Sequence, residues 1–147
     1  MSKSMVLEQP VGERALALEH FRSKLGLATD PSDVHTDLER GETGFIVLDA
    51  RSPEAYAAGH VPGAVSFPHR RMEPSTVAAL PKDKVIVTYC DGIGCNASTK
   101  AAFMLTALGF EAKEMVGGLE WWKRDGYPVA TGAEPGRLAA AAVECGC

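Results

Sequence analysis

Two short, continuous apolar runs constrain the fold of this chain most strongly. "FIVLDAR" covers residues 45–51 and "KVIVTYC" covers residues 84–90, and each ends in a charged or reactive side chain. An apolar run without polar alternation is typical of a strand that is covered on both faces, as in a parallel sheet. Parallel strands need long crossover connections, which are usually helical. The rest of the sequence must therefore supply helices on both sides of a sheet.

Helical patterns do alternate with the apolar runs. Helices are predicted at residues 10–30, 31–41, 52–60, 73–83, 97–110 and 119–129, and short strands at 63–68 and 111–118. The first helix is predicted to be amphipathic, with an apolar face of Val11, Ala15, Leu18, Phe21 and Leu25. Ser52 is predicted to cap the third helix, with Pro53 in its first turn and Gly59 at its end. This order predicts an α/β layer fold around a mainly parallel sheet.

Length and composition suit one compact domain in a reducing compartment. The 147 residues carry a net charge of −4, which does not favour nucleic acid or an acidic membrane surface. No apolar run approaches the ~20 residues of a spanning helix, and the N-terminus lacks the apolar core of an export signal. We predict a cytoplasmic protein with an N-terminal extension (residues 1–30), a main domain (31–130) and a linker with an alanine-rich tail (131–147). Its four cysteines are expected to be thiols.

The segment "YCDGIGCNAS" joins the second apolar strand to a helix and begins its loop with Cys90. In open α/β sheets, ligand sites lie beyond the carboxyl ends of strands. Backbone N–H groups of such a turn and of the following helix favour an anion, and a thiolate is the nucleophilic form of cysteine. We predict Cys90 as a catalytic nucleophile in a cradle of loop residues. The loop members are Asp91, Gly92, Ile93, Gly94, Cys95 and Asn96.

The charges of the loop narrow the chemistry. No Arg or Lys occurs from residue 91 to residue 99, although phosphoryl transfer needs a cation to hold the equatorial oxygens. Transfer of a neutral sulfane sulfur through a persulfide on Cys90 requires less positive charge in the loop. The preferred donor is expected to be a polysulfide, persulfide or protein donor rather than the dianion thiosulfate, with a thiol as acceptor.

Three ordered motifs resemble signatures of the rhodanese family of sulfurtransferases. They are "LDARSPEAYAAGHVPGA", the loop that begins at Cys90, and "GGLEWWKRDGYPV". The resemblance implies a three-layer fold with a five-stranded parallel sheet between helices, and Cys90 as the residue that forms the persulfide. It also implies that Asp49 and Arg51 border the active-site loop and support it. No cofactor and no metal site is predicted, since closed zinc sites favour C-x₂₋₄-C pairs.

Cys95 stands where the common loop of the family carries an arginine, so its role is left open between structural packing and a resolving thiol that closes a disulfide with Cys90. Two alternatives to the sulfurtransferase therefore remain: a Cys90/Cys95 dithiol redox protein, and a non-catalytic binding or sensing module. For the tail cysteines, Cys145 and Cys147, three alternatives are open: they act as sulfur acceptors, they bind a soft metal with Cys90 and Cys95, or they form an inert exposed tail. The first helix is expected to cover the sheet or to form a homodimer contact.

Several polar residues have ordinary structural expectations. Asn96 or Ser98 is expected to cap the following helix, and Asp91 to be solvated at the loop rim. His60 is interpreted as a turn residue that bonds to backbone rather than as a general base. The basic cluster His69 to Arg71 could lie near the loop, and of Trp121 and Trp122 one ring is expected in the core and one at the surface.

Overall fold

The computed structural model describes residues 3–139. Five strands and six helices alternate along this part of the chain, together with a 3₁₀ turn at His69–Arg71. They are α1 (Arg14–Leu27), β1 (Ala28–Thr29), α2 (Pro31–Glu39), β2 (Phe45–Asp49), α3 (Pro53–Ala58), β3 (Val65–Ser66), α4 (Pro74–Val77), β4 (Val85–Tyr89), α5 (Ala97–Ala107), β5 (Ala112–Met115) and α6 (Gly118–Arg124).

The five strands form one parallel sheet in the order β1-β5-β4-β2-β3. The two apolar runs of the sequence are its central pair, with Val47 opposite Val87 and Asp49 opposite Tyr89. The strand order reverses between β2 and β4, because β3 lies on the outer side of β2 and β5 lies on the outer side of β4. The predicted α/β fold with a five-stranded parallel sheet is confirmed.

Two apolar clusters, one on each face of the sheet, hold the helices. Neighbouring residues of one strand point to opposite faces, so Val47 belongs to one cluster and Leu48 to the other. The first cluster packs α2, α3 and α6 through Val34, Tyr56 and Trp122. The second packs α4 and α5 through Val77, Ala101, Leu105 and their neighbours. Both faces are thus covered, as the unbroken apolar runs require.

The N-terminal part differs from the prediction in two ways. The first helix ends at Leu27, and the next two residues form β1, which pairs with β5 at Ala28–Glu114 and Thr29–Met115. A two-residue strand is too short to show a period in sequence. Every residue of the apolar face predicted for the first helix is exposed: α1 has no buried residue, and Phe21 is 59% exposed.

Residues 130–135 lie against the domain rather than leading away from it. Ala130 forms an isolated antiparallel bridge with His60, and the Gly63 N–H donates to the carbonyl oxygen of Pro135 at 2.8 Å. Cys145 and Cys147 lie outside the described residues. Within residues 3–139, no helix is long and apolar enough to cross a membrane.

Candidate active site

The carboxyl ends of three neighbouring strands meet around one cleft. Beyond β2 the chain places Arg51 there, beyond β3 it places the 3₁₀ turn of His69–Arg71, and beyond β4 it places Cys90. The cleft has a volume of about 490 Å³, which is the size of a small-molecule site. Because parallel strands end at the same edge of the sheet, segments far apart in sequence converge on Cys90.

Cys90 and Cys95 are joined by a disulfide across the loop, with their Cα atoms 6.2 Å apart. That separation is within the usual range for a disulfide. The expectation of free thiols therefore does not hold for this pair. The Cys95 N–H donates to the Gly92 carbonyl oxygen at 3.2 Å and closes a turn, and this turn brings the two sulfurs together. The sulfur of Cys90 belongs to a residue that is 2% exposed, whereas Cys95 is partly exposed. Both residues line the cleft.

The root of the loop is fixed to α6. The Leu119 N–H donates to the carbonyl oxygen of Cys90 at 3.0 Å, and the Glu120 N–H donates to that of Asp91 at 2.8 Å. This approach requires glycine at position 118, where φ is +59° and a Cβ would collide with the Cys90 carbonyl oxygen. Gly118, the second glycine of the "GG" before the tryptophans, is thus in direct contact with the loop.

The tip of the loop is less constrained. Within residues 3–139, the N–H groups of Ile93, Gly94 and Asn96 donate to no protein acceptor. Asn96 occupies the N-cap position of α5 without a side-chain cap bond, and Ser98 instead donates to a Glu114 carboxylate oxygen at 3.2 Å. Asn96 is therefore the N-cap residue by position, as expected, but its side chain makes no cap bond, and Ser98 does not cap the helix. The three N–H groups lie in the loop that was predicted to cradle an anion.

Asp49 and Arg51 form a buried ion pair beside the loop. The Asp49 carboxylate is fully buried and accepts from Arg51 Nη2 at 2.7 Å and from Arg51 Nε at 3.0 Å. Arg51 Nη1 donates to Asp91 Oδ1 at 2.9 Å. Asp91 is exposed, as expected for the rim, but it is also the link that ties the loop to the buried pair. Burial alone would lower the pKa of Arg51, yet the hydrogen bonds and charges of Asp49 and Asp91 outweigh burial and raise that pKa above its ordinary value.

Tyr89, the last residue of β4, completes this network. Its hydroxyl donates to Asp49 Oδ2 at 2.6 Å and accepts from the Val61 N–H at 3.1 Å. Burial, followed by the negative charge of Asp49, raises the pKa of Tyr89 well above the ordinary 10.0. The phenol therefore stays protonated and acts as a fixed donor that orients Asp49.

The 3₁₀ turn brings a basic cluster to the same cleft. His69, Arg70 and Arg71 all line it together with Cys90. Both arginines are exposed, and neither forms an ion pair within the described chain. The Nδ1 atom of His69 is buried and has no hydrogen-bond partner there. The cations missing from the loop are thus supplied across the cleft from it.

The other polar residues take the structural roles expected of them. His60 is buried, with Nδ1 2.8 Å from the Tyr56 carbonyl oxygen and Nε2 2.9 Å from that of Pro135. Trp122 is fully buried and Trp121 is 40% exposed, which confirms the expectation of one core ring and one surface ring. Ser52 does cap α3 by accepting from the Ala55 N–H. Among the described residues, no group of three or more His, Cys, Asp or Glu side chains could hold a metal ion.

A family model for the rhodanese-like domain matches residues 30–125, and the chain belongs to this family. The match spans the whole sheet after β1 and includes the loop between Cys90 and Cys95. The resemblance stated from the three motifs is therefore confirmed.

The names of individual relatives refer to different functions. The chain is 37% identical over 90 residues to a protein named thiosulfate sulfurtransferase GlpE from Pseudomonas entomophila, which covers 60% of this chain and 78% of that protein. It is 34% identical over 131 residues to an HTH-type transcriptional regulator, Rv0324 from Mycobacterium tuberculosis, covering 84% of this chain. The chain spans only 58% of the regulator's length. Among solved structures, the BH2092 protein from Bacillus halodurans is similar with a TM-score of 0.79 and 40% identity, over 82% of this chain and 88% of that one.

Two features of the site were not predicted from the sequence. The contact between Arg51 and Asp91 joins residues 40 positions apart, and no local pattern signals it. From the sequence, Tyr89 was treated as one more apolar residue of a buried strand, although the Tyr89 hydroxyl orients Asp49. A tyrosine at the last position of a buried strand, directly before the predicted nucleophile, is the signal that could have found it, because buried tyrosine hydroxyls usually have a partner.

Proposed function

We propose that this protein is a sulfurtransferase that carries a sulfane sulfur on Cys90 as a persulfide. In the reduced protein, the Cys90 thiolate attacks the outer sulfur of a donor such as thiosulfate or a polysulfide. The S–S bond of the donor breaks, its electron pair leaves with sulfite or the shortened polysulfide, and Cys90–S–S⁻ forms. An acceptor thiolate then attacks the terminal sulfur, and Cys90 leaves as a thiolate.

The position of Cys90 carries this proposal. It lies directly after the central strand, at a cleft large enough for a small donor, in a loop whose root is held by α6. In the described part of the chain, the N–H groups of Ile93, Gly94 and Asn96 have no protein acceptor, and we propose that they solvate the terminal sulfur of a persulfide. The relatives named thiosulfate sulfurtransferase support the same reaction class.

The basic turn changes the expected choice of donor. From the loop alone, thiosulfate was disfavoured because the loop carries no cation. Arg70 and Arg71 now supply two exposed positive charges at the cleft, without ion-pair partners within residues 3–139. Opposite charges at a cleft raise the local concentration of an anionic substrate. We therefore propose anionic donors, thiosulfate included, as the preferred class.

Intact mass tests the proposal most directly. In a chain with Cys145→Ser, Cys147→Ser and Cys95→Ser, incubation of the reduced protein with thiosulfate or polysulfide is expected to add about 32 Da, the mass of one sulfur. The added mass should map to the peptide that contains Cys90, and the further change Cys90→Ser should abolish it. Uptake that persists without Cys90 refutes the proposed chemistry.

One observation favours each of the two other functions. The Cys90–Cys95 disulfide favours a dithiol redox protein, and the similarity to a transcriptional regulator favours a sensing module. Alkylation of the reduced protein by iodoacetamide at neutral pH separates the sensing module from the two enzymes. The sulfurtransferase and the redox protein both predict rapid modification of Cys90, whereas a non-catalytic module predicts an unreactive Cys90 in a normally folded chain.

A further inference from the structure

The disulfide shows that Cys95 can reach the sulfur of Cys90 with the fold in place. The strand that ends at Tyr89 and the helix that begins at Ala97 are both intact in the bonded state, and the Cys90 carbonyl oxygen keeps its bond to Leu119. Closing this bond therefore requires no unfolding of the elements that build the site. A persulfide on Cys90 would have a second thiol within bonding reach of its inner sulfur.

We propose that Cys95 resolves the Cys90 persulfide and releases its terminal sulfur as hydrosulfide. This inference rests on the proposed function and adds a second reaction at the same site. The Cys95 thiolate attacks Cys90 Sγ, the Cys90–Cys95 bond forms, and the bond to the terminal sulfur breaks with its electron pair. In balanced form, Cys90–S–SH and Cys95–SH give the disulfide and H₂S. The two thiols supply the two electrons that reduce the sulfane sulfur to sulfide.

The cleft gives the leaving hydrosulfide a way out. Both cysteines line it, so the terminal sulfur is expelled into a solvent-connected volume of about 490 Å³ rather than into the core. The same cleft carries Arg70 and Arg71, whose positive charges favour an anionic leaving group. The departing anion thus meets the charges that would attract an anionic donor.

The exposure of the two cysteine residues sets the order of the regenerating steps. An external dithiol reductant must restore the thiols, and its first thiolate attacks the sulfur of the more exposed cysteine. Cys95 is partly exposed, whereas Cys90 is 2% exposed. The mixed disulfide therefore forms on Cys95, and Cys90 is released as the thiolate. The second thiol of the reductant then displaces Cys95, leaving both loop thiols reduced and the reductant oxidised.

A single turnover without external reductant tests the resolution step. The chain with Cys145→Ser and Cys147→Ser is reduced, freed of reductant under anaerobic conditions and mixed with one equivalent of thiosulfate, whose own sulfur product is sulfite. We expect about one equivalent of sulfide per chain, with the protein two hydrogens lighter and a peptide link between Cys90 and Cys95. The matched Cys95→Ser chain should keep the added sulfur and release at least about tenfold less sulfide.

The outcomes separate this inference from the proposed function. If the chain with Cys95 keeps the added sulfur on Cys90 and releases no sulfide, the resolving role is overturned and the sulfurtransferase stands. If the Cys95→Ser chain takes up no sulfur from either thiosulfate or glutathione persulfide, the proposed function fails and this inference fails with it.

Trapping of the mixed disulfide tests the order of attack. The oxidised chain is treated with excess glutathione and then quenched with iodoacetamide. Glutathione on Cys95 with alkylated Cys90 is expected, and glutathione on Cys90 would overturn the assigned order.

Discussion

The buried carboxylate of Asp49 is predicted to stabilise the fold by pairing with Arg51, and Asp49→Asn tests this. The side chain is fully buried, accepts from Arg51 at 2.7 and 3.0 Å, and accepts from the Tyr89 hydroxyl at 2.6 Å. Asparagine has a similar shape but leaves the buried guanidinium without its main counter-charge. Removing one partner of a buried ion pair costs about 3–5 kcal/mol.

This loss of unfolding free energy corresponds to a large decrease of the melting temperature. With about 2.1 cal/mol/K of unfolding entropy per residue, a chain of 147 residues has about 0.3 kcal/mol/K. The expected loss is therefore about 10–16 °C. Calorimetry of both proteins in the oxidised form measures it, since the loop disulfide is then common to both.

Asp91→Asn is the matched control, because Asp91 accepts from the same guanidinium at 2.9 Å but its side chain is 71% exposed. An exposed partner contributes at most about 1 kcal/mol, so the control should melt within about 3 °C of the parent. Equal shifts for the two variants, or a shift below about 3 °C for Asp49→Asn, would refute the assignment of the stabilising charge to the buried carboxylate.

Three further predictions concern the cleft, the buried phenol and the first helix. Arg70→Gln and Arg71→Gln should each raise the KM for thiosulfate about five-fold, roughly 1 kcal/mol, and make that KM less dependent on salt concentration. The control Arg14→Gln on α1 should change neither property. Equal effects at Arg14 would contradict electrostatic attraction of the donor by the basic turn. The pKa of Tyr89 is raised in the folded state, so the folded chain keeps a proton that the unfolded chain loses above pH 10. The free energy of unfolding should therefore decrease above that pH by up to about 1.4 kcal/mol per pH unit. Urea unfolding across pH 9–11 should show a smaller decrease for Tyr89→Phe than for the parent, and an equal decrease would count against the assignment. Since Phe21 is 59% exposed on a helix without buried residues, we propose that α1 mediates a homodimer, which Phe21→Glu should weaken in sedimentation equilibrium; a parent protein that stays monomeric at high concentration would exclude it.

The central architecture was predictable because local sequence dictates it. The unbroken apolar runs of β2 and β4 are typical of strands covered on both faces, and Pro53 with Ser52 marks a helix start by chemistry that acts within four residues. The position of Cys90 beyond a buried strand followed from the same runs. Such inferences need only the identity of adjacent residues.

The remainder depends on contacts that are distant in sequence. The strand β1 consists of two residues that become a strand only because β5 lies beside them. The bond from Arg51 to Asp91 requires the ends of β2 and β4 to be neighbours. The choice between packing and disulfide formation for Cys95 turned on a distance of a few ångströms, which the spacing of five residues leaves open.

The hydrogen bonds between the loop and the rest of the domain are concentrated at the root of the loop, and this has a consequence for how fast the site can change state. The root is held by the Leu119 and Glu120 amides, while the N–H groups of Ile93 and Gly94 at the tip donate to no protein acceptor within residues 3–139. Once the disulfide is reduced, a loop held in this way would let Cys95 move relative to Cys90, and surface loops move in nanoseconds to microseconds. We therefore expect sulfur exchange with external molecules, and not rearrangement of the loop, to limit the rate of the cycle.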